Sequence, residues 1–503
     1  MAQTVSDYYD GSRLFSGLSE YLGISVDKVN FVISQVGALF LASLFRNVLH
    51  PSKANAATRH AFGLVFALII GYFCFGTQAI HLAALPAACY IVIRTQSPEV
   101  MQRMVLAVAL VYLSVIHLHR QIYDYGSYNL DITGPLMVIT QKVTSLAFNI
   151  HDGLTKHQEK LSKSQKSYAV TKIPNPLEYF SFVLHFPSLM AGPAMLYKEY
   201  MDFIDGSNLK SPVNQNFPQK YTGNAPIVVE PSPTWAVCKK VAIAAGCAAI
   251  FVKFLPMFPI SRVKENDFVE NTSITQKIVY LYICTTLVRF KYYFAWTLAD
   301  AVCNNAGIGY NGVDASGAHR WDKFSNVDIF QFEFATNLRE SIAAWNLGTN
   351  RWLRMIVYER VSKYSMVLTY SLSALWHGFY PGYYLTFANG ALFTYASRVL
   401  RKRVRNYFLA NAETKFFYDG VTFVTTRILM AYMVFTFVLL EFWPCIRLYM
   451  HMYWCLHLGA LLAIFLVPNV IPKTEAGQAV KGSIAQAFVQ ARPITNGVSR
   501  HHD

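Results

Sequence analysis

The chain has 503 residues, of which 53% are hydrophobic and only 15% charged, and it carries a net charge of +15 at neutral pH. So high an apolar share in so long a chain excludes a disordered protein and removes the need for disulfide staples. The surplus Lys and Arg lie in loops between apolar runs, which fits the basic bias of cytoplasmic loops and argues against a nucleic-acid surface.

Taken in chain order, residues 1–28 are polar and lack the apolar stretch of a signal peptide, so the first spanning run is expected to act as the membrane signal. Candidate passes follow at 29–45, 60–76, 78–94, 104–117 and 133–150. A Lys-rich stretch at 151–173 leads to an apolar segment, 176–197, interrupted by Pro187 and Gly192-Pro193. A Pro- and Asn-rich stretch covers 205–234, and passes follow at 235–257 and 276–297. An amphipathic, charged region occupies 298 to 363. Passes at 364–378 and 383–397, a basic run at 398–405, passes at 421–442 and 451–468, and a polar tail from Pro472 complete the chain. Several of these runs approach the ~20 residues needed to cross a bilayer. The expected fold is all-α, a polytopic transmembrane helical protein with about eleven crossings. The expected domain plan is a polar segment at 1–28, a membrane-embedded domain at 29–471 and a polar tail at 472–503.

Asp7, Asp10, Glu20 and Asp27 precede the first pass, whereas Arg46, Lys53 and Arg59 follow it, which puts the N-terminus outside. If 176–197 is re-entrant, 151–173 and 398–405 both fall inside, and the glycosylation sequon Asn271-Thr272-Ser273 falls outside. The 8 cysteines form no CxxC pair and mostly sit in apolar runs, so they read as buried thiols, with no metal site expected.

The passes at 364–378 and 383–397 are short. About 15 residues of helix span only ~22 Å, less than the ~30 Å hydrocarbon core. The turn between them, from Trp376 to Tyr384, should lie within membrane depth, where broken backbone survives only inside protein or beside a wet cavity. An intramembrane histidine there marks a site. His377 precedes Gly378 and the helix-stopping Pro381-Gly382, and histidine is the side chain best suited to act as a base near neutral pH. The plainer reading is an interfacial histidine bonded to a backbone carbonyl.

A second constellation lies at 341–354. Read as one helix, it puts Trp345 and Trp352 on one face, and Asn346, Thr349, Asn350 and Leu353 on another. Arg351 and Arg354 form a pair suited to phosphates. The plainer reading is an amphipathic helix lying in the membrane interface. Lys142 and Arg427 fall inside predicted passes, and His185 and Glu178 read as structural.

Trp345-Asn346 with Thr349, Trp352, Leu353 and Arg354, followed by Trp376-His377-Gly378 with Pro381-Gly382-Tyr383-Tyr384, closely resembles the membrane-bound O-acyltransferase family, and within it the lysophospholipid acyltransferase branch. Asn175-Pro176 through Gly192-Pro193, the stretch Arg289 to Trp296, Gly309 to Gly312 and Arg320-Trp321-Asp322 are also similar to family segments. The resemblance implies re-entrant and interfacial helices enclosing a catalytic chamber in the endoplasmic reticulum membrane. It implies acyl transfer from acyl-CoA, as co-substrate and without a cofactor, to the free hydroxyl of a lysophospholipid. The headgroups it favours are phosphoethanolamine and phosphoserine, with phosphocholine as a further option. His377 would be the general base, and Asn346 would orient the reacting groups or donate to the oxyanion. Substrate contacts are expected from Trp345, Thr349, Asn350, Arg351, Trp352, Arg354, Trp376, Tyr383, Arg289 and Lys291, with Arg320, Lys323 and Arg339 as further cations for CoA. The competing readings are a related acyltransferase acting on a sterol, diacylglycerol or protein, and a polytopic transporter. The chain shows none of the duplicated halves common in transporters.

Overall fold

A computed structural model describes residues 8–127, 129–155, 159, 161–210, 219–222, 225–228, 231–314 and 316–471, and all structural statements concern these. The tail expected from Pro472 and part of the Lys-rich stretch at 151–173 lie outside the described residues.

Short polar side chains fix where many of the helices begin. After α1 (Val26–Asn47), the Asn55 side chain accepts from Thr58 N and starts α2 (Ala56–Phe75). A 3-10 turn at Gly76–Ala79 leads into α3 (Ile80–Thr95), and Gly71 abuts the Leu82 side chain across that turn. Next come α4 (Met101–Tyr123) and α5 (Thr133–Thr155). Asn175 and Glu178 form a capping box around Pro176 that opens α6 (Pro176–Val183), and α7 (Tyr197–Ile204) follows. A small antiparallel hairpin pairs β1 (Gln219–Thr222) with β2 (Ala225–Val228), Gln219 opposite Val228, and is the one departure from helices in the named elements. After α8 (Thr234–Phe254), a Ser273/Gln276 capping box starts α9 (Ile274–Asn305). Three short helices, α10 (Ile329–Phe334), α11 (Leu338–Ala344) and α12 (Leu347–Leu353), are capped in turn by Asp328, Asn337 and Asn346. The last of them runs into a π-turn at Arg354–Tyr358. The chain continues through α13 (Ser365–His377), α14 (Pro381–Val404), α15 (Ala412–Leu439), α16 (Phe442–His451) and α17 (Cys455–Phe465).

Five helical stretches are long and apolar enough to cross a membrane: Val26–Asn47, Ala56–Thr95, Met101–Tyr123, Thr234–Lys264 and Ala412–Leu439. A sixth is added if the pair Phe442–His451 and Cys455–Val470, bent by 76°, counts as one span. The long helices α5, α9 and α14 fall outside that set, and for α5 the reason is physical. On α5 every residue from 139 to 150 is buried, including Thr140, Gln141, Lys142, Thr144, Ser145 and Asn149. Such a helix faces protein on all sides and can hold polar groups that a lipid-facing helix cannot. By contrast, α4 exposes Val111 and Val115 on its outer surface.

The buried side chains form two clusters. One is built on α1–α7 and takes in Trp352 and Trp376; the other joins α9, α11, α14 and α15 to the C-terminal helices. Ala344 belongs to the second cluster and Trp352 to the first, so the chain crosses between them at Trp345-Asn346.

Two expectations need correction. The sequence suggests one helix over 341–354, but the backbone breaks at Asn346, which is left-handed at φ 47° and ψ 58°. Leu347 N instead donates to Asn326 O, so Trp345 and Trp352 belong to different elements. The helix expected at 383–397 runs from Pro381 to Val404, because the stems of the basic run extend it beyond the apolar residues. The short-helix argument therefore holds for α13, with 13 residues, and not for α14, with 24.

The interrupted segment 176–197 is buried almost throughout, and the eight-residue α6 is far too short to span. Its C-terminal carbonyls, Phe182 O and Val183 O, are met by the Lys142 ammonium at 3.1 and 3.2 Å, with Ser188 Oγ at 2.8 Å. Lys142 thus caps a helix inside the protein. The buried His185 ring packs against Phe45 and Tyr200. All eight cysteines are unpaired, and Cys238 is the exposed one.

Candidate active site

His377 is the last residue of α13. The helix ends there because Gly378 takes φ 112° and ψ −161°, a region that suits glycine, and Pro381 restarts the chain as α14. His377 Nδ1 donates to Ser373 O at 2.6 Å. A carbonyl can only accept, so Nδ1 carries the proton and the neutral ring keeps its lone pair on Nε2. The backbone-bonded histidine and the histidine base are therefore compatible, because they use different nitrogens. Ring centroids of Trp376, Phe387, Phe437 and Tyr383 lie 4.6, 4.9, 5.3 and 5.9 Å from the imidazole, so α13, α14 and α15 form an aromatic cage around it.

Asn346 occupies the seam between the two side-chain clusters. Its left-handed backbone is one that asparagine tolerates better than most residues. Its side-chain oxygen accepts from Thr349 N at 3.4 Å and caps α12. Among the described contacts none uses its Nδ2, so the amide NH2 remains as a donor. Asn326 fixes the entry, its Oδ1 accepting from Gly348 N at 2.9 Å.

One stripe of α5 registers the Asn346 element against the His377 element. Met137 O accepts from Trp376 Nε1 at 3.0 Å, Gln141 Nε2 donates to Thr349 Oγ1 at 2.8 Å, and Thr144 Oγ1 accepts from Trp352 Nε1 at 2.9 Å. Positions 137, 141 and 144 are spaced i, i+4, i+7, one face of a helix. The Trp352 and Trp376 rings then meet at 5.6 Å. Sequence reasoning missed Gln141 and Thr144, although polar residues at helical spacing inside a predicted pass are a usable signal.

The other expected contacts divide. Trp376, Trp352, Thr349 and Tyr383 join the assembly around His377 and Asn346, with both tryptophans buried by framework contacts. Trp345 adjoins Asn346 but packs among Tyr292, Tyr293, Trp296 and Phe332. Asn350 Nδ2 donates to Ile342 O at 3.0 Å and Trp345 O at 2.9 Å, closing the end of α11. Arg351 pairs with Glu199 at 2.8 Å and donates to Ala194 O, tying α12 to α7 and to the segment before it. Arg354 is well exposed and pairs with Glu359 at 3.0 Å. Arg289 is buried on α9 and bidentate to Glu333 at 2.9 and 3.0 Å, and Lys291 stands over the Tyr292 ring. Arg427 approaches Glu333 at 3.6 Å and donates to Phe332 O and Ser341 Oγ, so two guanidiniums flank one carboxylate. Arg320 pairs with Asp322 on the surface.

A chemistry follows from this geometry. An imidazole with a free Nε2 lone pair and an amide with a free N–H stand on adjoining elements, joined by paired tryptophans. Such a pair can take a proton from a hydroxyl and steady a developing oxyanion.

Comparison with known proteins points the same way. The model of the MBOAT, membrane-bound O-acyltransferase family, matches residues 118–440. Lysophospholipid acyltransferase 6 of Drosophila melanogaster is 54% identical over 469 residues, covering 93% of this chain and 64% of that protein. The chain thus spans just under two thirds of the fly protein's length. Membrane-bound glycerophospholipid O-acyltransferase 1 of Homo sapiens is 42% identical over 460 residues, 91% of this chain and 92% of that protein. Lysophospholipid acyltransferase of Schizosaccharomyces pombe is 32% identical over 464 residues, 90% and 88% of the two chains.

Proposed function

The chain belongs to the membrane-bound O-acyltransferase family and is an O-acyltransferase, and from that premise we propose that it transfers a fatty acyl group from acyl-CoA to the free hydroxyl of a lysophospholipid. The relatives are by name lysophospholipid and glycerophospholipid acyltransferases, which supports a lipid acceptor. Lysophosphatidylethanolamine and lysophosphatidylserine are the favoured acceptors, ahead of lysophosphatidylcholine, and the endoplasmic reticulum is the favoured membrane.

The observation that carries the reading is the bond from His377 Nδ1 to Ser373 O, which leaves Nε2 as the base. In the reaction, Nε2 takes the hydroxyl proton as the oxygen bonds to the thioester carbonyl carbon. The tetrahedral intermediate collapses by breaking the C–S bond, and the CoA thiolate leaves with the proton. Thiolate is a good leaving group, so the base contributes most in the first half, ~10²–10⁴-fold. The Asn346 oxygen is engaged in capping α12, so its Nδ2–H is assigned to the developing oxyanion. Arg354 is the exposed cation nearest this element in sequence and the leading candidate for a CoA phosphate contact.

We also read eleven crossings over 29–471 around a chamber at the seam. Contacts that gather helix ends into two opposite sets support this. Asp10 with Thr77, Asp27 with Leu130 and Arg447 with Glu270 belong to one set. Arg46 with Asn305, Arg59 with Phe203 and Arg403 with Ile471 belong to the other.

The test is turnover of purified protein with labelled acyl-CoA and lysolipid. His377→Ala is expected to abolish transfer in a folded protein. Asn346→Asp keeps a capping oxygen and a residue tolerant of left-handed backbone but loses the amide donor. It is expected to keep its melting temperature and lose ~100-fold or more in kcat. Near wild-type turnover by His377→Ala would remove the base assignment.

A further inference from the structure

We propose that His117, on α4, is a positioning residue for His377, holding the turn that carries the base through a direct bond to its backbone. This rests on the assignment of His377 as base. His117 is buried, and its Nε2 donates to Trp376 O, the carbonyl immediately before His377, at 3.1 Å. That carbonyl lies in the last turn of α13, where helical acceptors lack their own donors. The bond fixes the His117 tautomer with hydrogen on Nε2.

A second contact closes the clasp. A Cβ placed on Gly378 would lie 3.1 Å from His117 Cγ and Nδ1, so the glycine backbone rests on the imidazole. Position 378 therefore needs glycine twice, for its φ of 112° and for this approach. A few residues further along, Gly126 N, in the connection after α4, donates to Tyr380 Oη at 2.9 Å. That connection is itself anchored by Arg120, which pairs with Asp131 at 2.6 Å and donates to Ser127 O and Asn129 O. His117 and Gly126 thus grip the turn 376–380 on both sides of His377, while Ser373 O holds the ring itself. Neither His117 nor Gly126 carries a motif, and in sequence they lie more than 250 positions from the turn.

The experiment compares His117→Phe, His117→Gln and His377→Ala in the full-length purified enzyme, with kcat, both KM values and melting temperature. His117→Phe keeps the bulk and removes the donor; His117→Gln keeps an N–H that can reach the carbonyl. The expected result is a loss of ~10–100-fold in kcat for His117→Phe, with both KM values within twofold, and recovery of most of that loss in His117→Gln. Equal losses in both variants accompanied by equal falls in melting temperature would reduce His117 to packing and overturn the proposal. So would full kcat in His117→Phe beside an inactive His377→Ala. An active His377→Ala is a separate failure, since it removes the base itself and with it the role of anything that positions it.

Discussion

At the scale of single residues, the site is made of side chains that spend one functional group on the protein and keep another. His377 and Asn346 both follow this rule, Nδ1 and Oδ1 going to backbone. Asn350 spends the opposite group, giving both amide hydrogens to the two carbonyls at the end of α11, so it keeps no donor for a substrate. Asn350→Ala is therefore expected to cost about 1–3 kcal/mol of stability through unmet carbonyls, seen as a lower melting temperature, while the KM for acyl-CoA stays unchanged. A raised KM with unchanged stability would return Asn350 to the substrate. The end of α13 at His377 was legible in the sequence, because Gly378 and Pro381-Gly382 stop a helix there. The role of Asn350 was not, because it depends on a helix break that spacing alone renders as a continuous ridge.

Among elements, the arm α10–α11 delivers Asn346 to the seam, and its anchor is the group Arg289, Arg427 and Glu333, with Tyr293 Oη donating to Glu333 at 2.6 Å. One half-buried carboxylate between two buried guanidiniums holds α9, α15 and the arm together. Glu333→Gln would leave both cations facing each other, and breaking a buried pair in this way typically costs about 3–5 kcal/mol. The expected outcome is a marked loss of folded protein in thermal unfolding, relieved by adding Arg427→Met. No relief in the double variant would mean that the two cations do not oppose each other. Arg427 could be seen in the sequence as a charge inside a pass, but its partner lies in a short helix that no periodicity announces. The same limit applies to α5: its polar positions were visible, yet which helices they face follows only from the packing. Where one helix lies in protein on all sides, hydropathy reports its neighbours' chemistry rather than its length.

For the whole molecule, orientation in the membrane follows from which loops share a face. Cysteine accessibility in an otherwise cysteine-free background is expected to label positions near 172 and 405 from one side, and positions near 271 from the other. Asn271 is exposed, and its sequon is expected to accept a glycan in a eukaryotic membrane. Labelling of 172 and 405 from opposite sides would turn the buried segment 176–197 into a crossing. That helices occupy the apolar runs was readable, and five or six of them are long and apolar enough to cross a membrane, but the helix ends were not readable. The bent pair α16–α17, turning through 76° with Tyr453 and Trp454 at positive φ, had no signature beyond its Trp and Tyr content.

The brevity of α13 has a consequence for side reactions. Thirteen residues of helix rise only ~20 Å, less than the ~30 Å hydrocarbon core, so in the proposed topology His377 at its end lies within membrane depth. On the proposed function, a thioester at His377 would meet little water, and the idle enzyme is expected to waste almost no acyl-CoA by hydrolysis while it waits for an acceptor.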